Sequence, residues 1–468
     1  MKPASILIRN GRVVTAADDV IADVLVEGEQ IAAVGRVGEV AADRVIDATG
    51  KYVLPGCVDV HTHLDMPLGS IVTADDFESG QTAAAFGGTT CHIDFATQSR
   101  GSMLTEALET WHAKREGRSI IDNGFHMAVT DLSRPELLDE LASLPEHGVT
   151  SFKLYLAYKS SLQVDDGVLF RAMRVAAETG ARAMVHAENG DVIDVLVADA
   201  LAQGHTSPPW HARTRPPATE GEAVNRSIQL AHLAGCALYV VHVSCREALE
   251  PIETARRNGW DVTAETCPQY LLLDASYLDR DGFEGAKYVF TPPPRTKADQ
   301  EALWQACGRG VLSVISTDHC SFYWSQKMLG RDDFSKIPNG GPGIETRLEL
   351  VHTFGVGAGR ISLPLMVDLL ATEPARLFGL YPRKGTIAAG SDADLVVFDP
   401  ARERTISAAT HHSRADYSLF EGVQVKGVPE IVLRRGEVIV AGDRLLAIPG
   451  SGQFIERARV GERLDLRS

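Results

Sequence analysis

Apolar and polar residues alternate along this chain in two different textures. The first fifty residues carry short apolar runs, "SILIRNGRVV", "IADVLVEGEQIAAVG" and "RVIDATGKYV", broken by Gly and Asn. Runs of that length between turn residues predict short β-strands. The same texture returns near the C-terminus in "KGTIAAGSDADLVVFDP" and "GVQVKGVPEIVLRRGEVIV". Two similar β-rich ends predict one small β-sandwich domain built from both termini, residues 1–54 plus 380–468.

Between the ends lie eight apolar, strand-like runs: "YVLPGCVDVHTH", "GTTCHIDFA", "GFHMAVTD", "VTSFKLYLA", "ARAMVHAEN", "ALYVVHVSC", "WDVTAETC" and "VLSVISTDHC". Most gaps hold stretches such as "SMLTEALETWHAKREG", "LFRAMRVAAETG", "EGEAVNRSIQLAHLAG" and "REALEPIETARRNG", whose apolar residues recur at three and four. That period predicts amphipathic helices. Eight strands alternating with helices predict an α/β protein with a (β/α)8 TIM-type barrel over residues 55–379. An open doubly wound sheet is the alternative, but its phosphate-binding glycines follow a strand, and "FGGTT" near Gly87 precedes one. The Pro-rich "SPPWHARTRPPATEG" reads as a rigid loop after the fifth run.

Composition narrows the function class. Of 468 residues, 44% are hydrophobic and 23% charged, an ordinary globular balance that excludes disorder. A net charge of -16 without any basic run argues against nucleic acid and anionic membranes as partners. No apolar run approaches the roughly 20 residues of a membrane span. The start, "MKPASILIRNGRVV", lacks a signal-peptide core. Seven scattered cysteines make no disulfide framework and are expected to pack as small hydrophobes. A cytoplasmic protein is expected.

Candidate chemistry sits at the strand ends, where barrels of this kind gather their functional groups. In "VDVHTHLDMP", His61 and His63 are two residues apart and point to the same side of a strand. That pair alone is ambiguous, because imidazole is both the commonest metal ligand and an ordinary polar side chain. The other strand ends decide: Lys153 on the fourth run, His186 on the fifth, His242 on the sixth and Asp318 on the eighth. Four imidazoles, a carboxylate and a lysine converging on one mouth predict a metal centre. In "SFKLYLAY", Phe152, Leu154 and Leu156 share one face, which turns Lys153 and Tyr155 toward the barrel interior. A buried ammonium beside cations is repelled and desolvated. Either its stem carries the charge out to solvent, or a depressed pKa lets the amine take up CO2. The resulting carbamate, N6-carboxylysine, is an anionic ligand able to bridge two metals.

Taken together, "VDVHTHLDMP", "SFKLYLAYK", "VHAENGD", "VVHVSC", "AETCPQYL", "STDHC", "PNGGPGIE" and "GTIAAGSDADLVVFDP" resemble the dihydropyrimidinase/D-hydantoinase branch of the amidohydrolase superfamily, over nearly the whole chain. The resemblance implies two divalent metal ions. His61, His63 and Asp318 would hold one, and His186 and His242 the other, with carbamylated Lys153 and a hydroxide between them. Mixed imidazole and oxygen ligation suits zinc, with manganese or cobalt as alternatives. By the same resemblance Asp318 shuttles the proton, Tyr158 binds the developing oxyanion, and Thr291 and Asn339 contact the cyclic imide. Thr291 occupies a position that is often Ser in relatives.

The implied substrate is a small cyclic ureide, a dihydropyrimidine or 5-substituted hydantoin, opened to an N-carbamoyl amino acid. The implied assembly is a homotetramer. Dihydroorotases and many allantoinases carry an Arg two residues after the second histidine, where this chain has Asp65. Without that guanidinium a substrate carboxylate has no bidentate clamp, which disfavours dihydroorotate and leaves allantoinase as an alternative. A non-catalytic scaffold relative is the other alternative, but every expected ligand is present. Leu64, Met66, Leu68, Tyr155 and Leu156 are apolar positions near the mouth, expected to line the pocket for the ring's exocyclic substituent. His92, His126 and His319 are expected to be structural.

Overall fold

The computed structural model describes residues 5–462. The eight runs form eight parallel strands in one sheet, each beside its chain neighbour. The first is Cys57–Thr62, the second Thr89–Thr97, the third Asp122–Ala128 and the fourth Ser151–Tyr155. The fifth is Arg182–His186, the sixth Leu238–Val240, the seventh Val262–Thr266 and the eighth Val314–Ile315. Both faces are buried, as parallel strands covered by helices require. Phe152 and Leu154 pack outward with the helices, whereas Tyr155 joins Val58, Ile93, Met184 and Tyr239 inside the barrel. The interior direction expected for Lys153 and Tyr155 follows from that alternation.

Closure joins the first and eighth strands through a few specific bonds. Thr62 and His319 form a parallel bridge, and the His63 N–H donates to the His319 carbonyl at 2.8 Å. Deeper in the barrel, the buried Arg347 guanidinium donates to the carbonyls of Val58 and Ile315, each at 3.1 Å.

The first apolar run proves to be two strands. Tyr52–Pro55 belongs to the terminal sheet, and the barrel strand begins at Cys57. Gly56 sits at the break, where a Cβ would stand 2.1 Å from the Thr90 hydroxyl oxygen. The terminal segments form one continuous nine-stranded sheet. Tyr52–Pro55 pairs antiparallel with Leu395–Thr405, which joins the N-terminal strands to the C-terminal ones. Ile8, Val24, Val53, Leu395 and Leu433 share its core. Lys384 ties that sheet to the barrel: its ammonium, fully buried, lies 2.7 Å from Asp122, 2.8 Å from Asp394 and 3.0 Å from Asp392. Beyond the sheet, the chain runs along the base of the barrel, where the Ile455 N–H donates to the Asn123 carbonyl at 2.8 Å.

The Pro-rich segment after the fifth strand differs from the loop expected of it. It holds a short helix, Pro209–Arg213, and Pro217 opens the long helix Pro217–Ala234. Proline in the first turn lacks only an N–H that has no helical partner there, so the same residues that read as loop formers start helices here.

Candidate active site

The strand ends bring the expected groups to one mouth. Nε2 of His61 lies 3.2 Å and Nε2 of His63 3.3 Å from the same Asp318 carboxylate oxygen. Nδ1 of His186 lies 2.9 Å from Nε2 of His242. The His61 and His242 rings stack with centroids 5.4 Å apart, which joins the two pairs. Between them rises the Lys153 ammonium, fully buried, 4.9 Å over the Phe95 ring and 5.0 Å over the Tyr155 ring.

Several buried atoms here have no hydrogen-bond partner: Nε2 of His61, Nδ1 of His63, Nδ1 of His242, Nζ of Lys153 and Oε1 of Glu188. Buried polar groups are rarely left unpaired, and clusters of such orphans point to an absent partner. Ligand atoms of His61, His242 and Asp318 all lie within 4.8 Å of one another. Burial, reinforced by the Lys153 charge, holds His61 well below the ordinary histidine value. Burial and the neighbouring His186 do the same to His242. Neutral imidazole is the form that coordinates a cation. Burial also lowers Lys153 to about 8, against the opposing pull of Asp318 and Glu265. For Asp318, burial pushes the carboxyl up, but His61, His63 and Lys153 outweigh it and keep it below the usual range. The donor set fits a cation centre with a lysine of lowered basicity beside it.

Two carboxylates that the sequence reading missed support these rings. Glu265, near the end of the seventh strand, contacts Nδ1 of His61 and accepts the Tyr239 hydroxyl at 2.8 Å. Glu188 lies 3.1 Å from Nε2 of His186. The available signal was an acid on an otherwise apolar strand, in "VTAET", and one two residues past a strand-end histidine, in "HAEN". His319, expected to be structural, is buried with Nε2 3.1 Å from Asp75 and Nδ1 accepting the Gly343 N–H at 3.1 Å.

Three of the site residues adopt left-handed backbone: Tyr158 at φ 69°, His242 at φ 39° and Asp318 at φ 48°. Such conformations cost roughly 1–3 kcal/mol each and persist only where the surroundings hold them. The Tyr158 carbonyl accepts the N–H groups of Ser161, Leu162 and Gln163 at 3.2, 3.0 and 3.1 Å, which fixes the turn.

A cavity of about 430 Å³ opens over the cluster, with Tyr158, Thr291 and Asn339 in its wall. This is the size of a small-molecule site. Burial and the Glu188 charge push the Tyr158 phenol up to about 12, partly opposed by hydrogen bonds with Thr291 and Asn339. It therefore remains a donor at neutral pH. Met66, Leu68 and Tyr155 line the cavity as expected, together with Ile71 and Leu162.

Leu64 does not line it, contrary to the sequence expectation. Its N–H is held by Asp94 at 2.9 Å, and its side chain is fully buried against Gly80, where a Cβ would stand only 2.3 Å from Leu64 Cδ2. Leu156 packs likewise into the outer core. Apolarity near the mouth marked both residues, but the direction of each side chain was decided by the helix beneath.

The amidohydrolase family model matches residues 52–439. This chain belongs to the amidohydrolase family. It is 54% identical over 457 residues to the D-hydantoinase of Geobacillus stearothermophilus, covering 97% of each chain. It is 42% identical to the dihydropyrimidinase of Arabidopsis thaliana, covering 96% of this chain and 85% of that one. The crystal structure of dihydropyrimidinase from Brevibacillus agri superposes with a TM-score of 0.96 at 51% identity, covering 98% of this chain and 100% of that chain. Amidohydrolases are metal-dependent, and the His61, His242 and Asp318 cluster is where this one can hold a cation.

Proposed function

We propose that this amidohydrolase opens cyclic ureides, dihydropyrimidines and 5-substituted hydantoins, to N-carbamoyl amino acids. The observation that carries the reading is the convergence of four imidazoles, Asp318 and Lys153 beneath one cavity, with orphaned ring nitrogens among them. Full-length similarity to D-hydantoinases and dihydropyrimidinases supports the substrate class. We assign His61, His63 and Asp318 to one divalent cation, His186 and His242 to a second, and a carbamate on Lys153 to both. Zinc suits mixed nitrogen and oxygen donors best.

Bound cations supply Lewis acidity toward a carbonyl oxygen and bring the pKa of water toward neutrality. The chain's own groups do the rest. Water oxygen attacks the ring amide carbon, and Asp318 accepts its proton at a carboxylate oxygen. Tyr158 donates its hydroxyl hydrogen to the developing oxyanion, a contribution of about 3 kcal/mol for one such donor. As the ring C–N bond breaks, Asp318 returns the proton to the leaving nitrogen. Met66, Leu68 and Tyr155 give the exocyclic substituent an apolar surround. Asp65 lies 3.8 Å from Arg118 and offers no positive charge to a substrate carboxylate.

The same reading makes the protein a homotetramer. Val192 and Val195, exposed on one helix, are apolar positions that such an assembly can cover; light scattering reports the mass.

The deciding experiment measures kcat/KM on dihydrouracil, hydantoin, 5-substituted hydantoins, allantoin and dihydroorotate, with metal content determined in parallel. Turnover of the first three with about two metal equivalents per chain is expected. Preference for allantoin or dihydroorotate, or a protein that binds no metal and hydrolyses none of the panel, would overturn the reading.

A further inference from the structure

Lys327 is fully buried, yet no carboxylate among the described residues pairs with it. Its ammonium instead donates to three main-chain carbonyls: Val289 at 2.8 Å, Pro338 at 2.6 Å and Gly340 at 2.7 Å. Three acceptors match the three N–H donors of an ammonium. These carbonyls come from two separate segments, and both segments reach the cavity wall. Pro338 and Gly340 flank Asn339, while Val289 lies two residues before Thr291; both Asn339 and Thr291 line the cavity.

The two segments also touch each other, because the Gly340 N–H donates to the Val289 carbonyl at 3.0 Å. With the Pro338 and Gly340 carbonyls both drawn to one nitrogen, the Asn339 carbonyl is left facing the other way, toward Cys320 Sγ at 3.8 Å. Asn339 and Thr291 share the cavity wall with Tyr158 and offset part of the burial that raises its phenol.

We propose that Lys327 is a positioning residue for the reaction: one buried ammonium pins the 289–291 and 338–340 segments together and thereby aims Thr291, Asn339 and the Tyr158 hydroxyl at the reacting carbonyl. The inference rests on the ureide-opening reading above. A group that sets geometry at a distance can change rate strongly, because misplacing a donor by about 1 Å costs on the order of 100-fold. It acts through Tyr158 and on no atom of the exocyclic substituent.

The test is a double-mutant cycle between Lys327→Met and Tyr158→Phe, with Lys327→Gln as a second variant that keeps two donors. Metal content and thermal midpoint are measured for each. Lys327→Met should lower kcat/KM roughly 10- to 100-fold, by the same factor for hydantoins with small and bulky 5-substituents, at wild-type metal content. In the Tyr158→Phe background the same change should have little further effect, because coupled residues are not additive. Lys327→Gln should fall between wild type and Lys327→Met. Additive losses, a loss that grows with substituent bulk, or wild-type kinetics in both variants would overturn the proposal. So would failure of both variants to fold, which would make the ammonium a fold-holding group. A wild-type enzyme inactive on every ureide would instead refute the reading on which the inference rests.

Discussion

Glu265 reaches Nδ1 of His61 from the end of the seventh strand, which leaves Nε2 of the same ring 3.2 Å from Asp318. One carboxylate thus fixes which nitrogen faces the centre. Such partners orient a ligating imidazole and raise its basicity. Glu265→Gln should therefore weaken metal affinity about 10- to 100-fold, while leaving the fold intact. Chelator competition followed by metal analysis measures it. Unchanged affinity would remove Glu265 from the centre's support.

Lys153→Ala should abolish turnover and lower metal content, since it removes the one amine that the described residues place inside the cluster. Short carboxylic acids added to the variant should restore part of the activity by supplying the missing oxygens. An untreated variant with full metal and full activity would refute the carbamate assignment.

Asp318→Asn should still bind ureides but lose kcat by roughly 10²- to 10⁴-fold, because an amide cannot carry the proton. Metal content is checked in parallel, since the same oxygen lies within 3.3 Å of both His61 and His63. Unaltered turnover and pH–rate profile would move the proton role to another group.

Leu68 and Leu64 should separate cleanly. Leu68→Ala should change the preference among bulky 5-substituted hydantoins by about 1–3 kcal/mol, with little change in thermal midpoint, because Leu68 lines the cavity and is partly exposed. Leu64→Ala should cost about 2–5 kcal/mol of stability and leave that preference alone. Denaturant titration and the hydantoin panel read both; the reverse pattern would place Leu64 in the pocket after all.

The Lys384 junction should make stability depend on pH in acid. Burial works against ionised Asp122, but Lys384 and Arg435 outweigh it and hold its carboxyl below the usual 3.8. A depressed carboxyl contributes stability above its unfolded value and loses it as pH falls toward the folded one. Denaturant midpoints should therefore hold from about pH 5 upward and fall below pH 4. Lys384→Met, which takes from Asp394 its cation partner and leaves Asp122 to Arg435 and Asp392 to Arg383, should cost about 3–5 kcal/mol at neutral pH. A midpoint unchanged by the substitution would sink this account of the junction.

The strand count, the barrel and the convergence of His61, His63, Lys153, His186, His242 and Asp318 were legible in the chain itself. The physical reason is period: alternate residues of a strand share a face, and barrel strands end at one mouth, so position along a run translates directly into position in space. Contacts across distant segments have no such period. That Glu265 meets His61, that Lys327 gathers three carbonyls from two loops, and that Leu64 turns onto Gly80 while Leu68 faces the cavity depend on how helices and loops pack around the barrel. Local propensity fixes neither the direction of a loop side chain nor the partner of a buried charge; packing density and the need to satisfy buried polar groups decide both, and these act only once the tertiary structure is assembled.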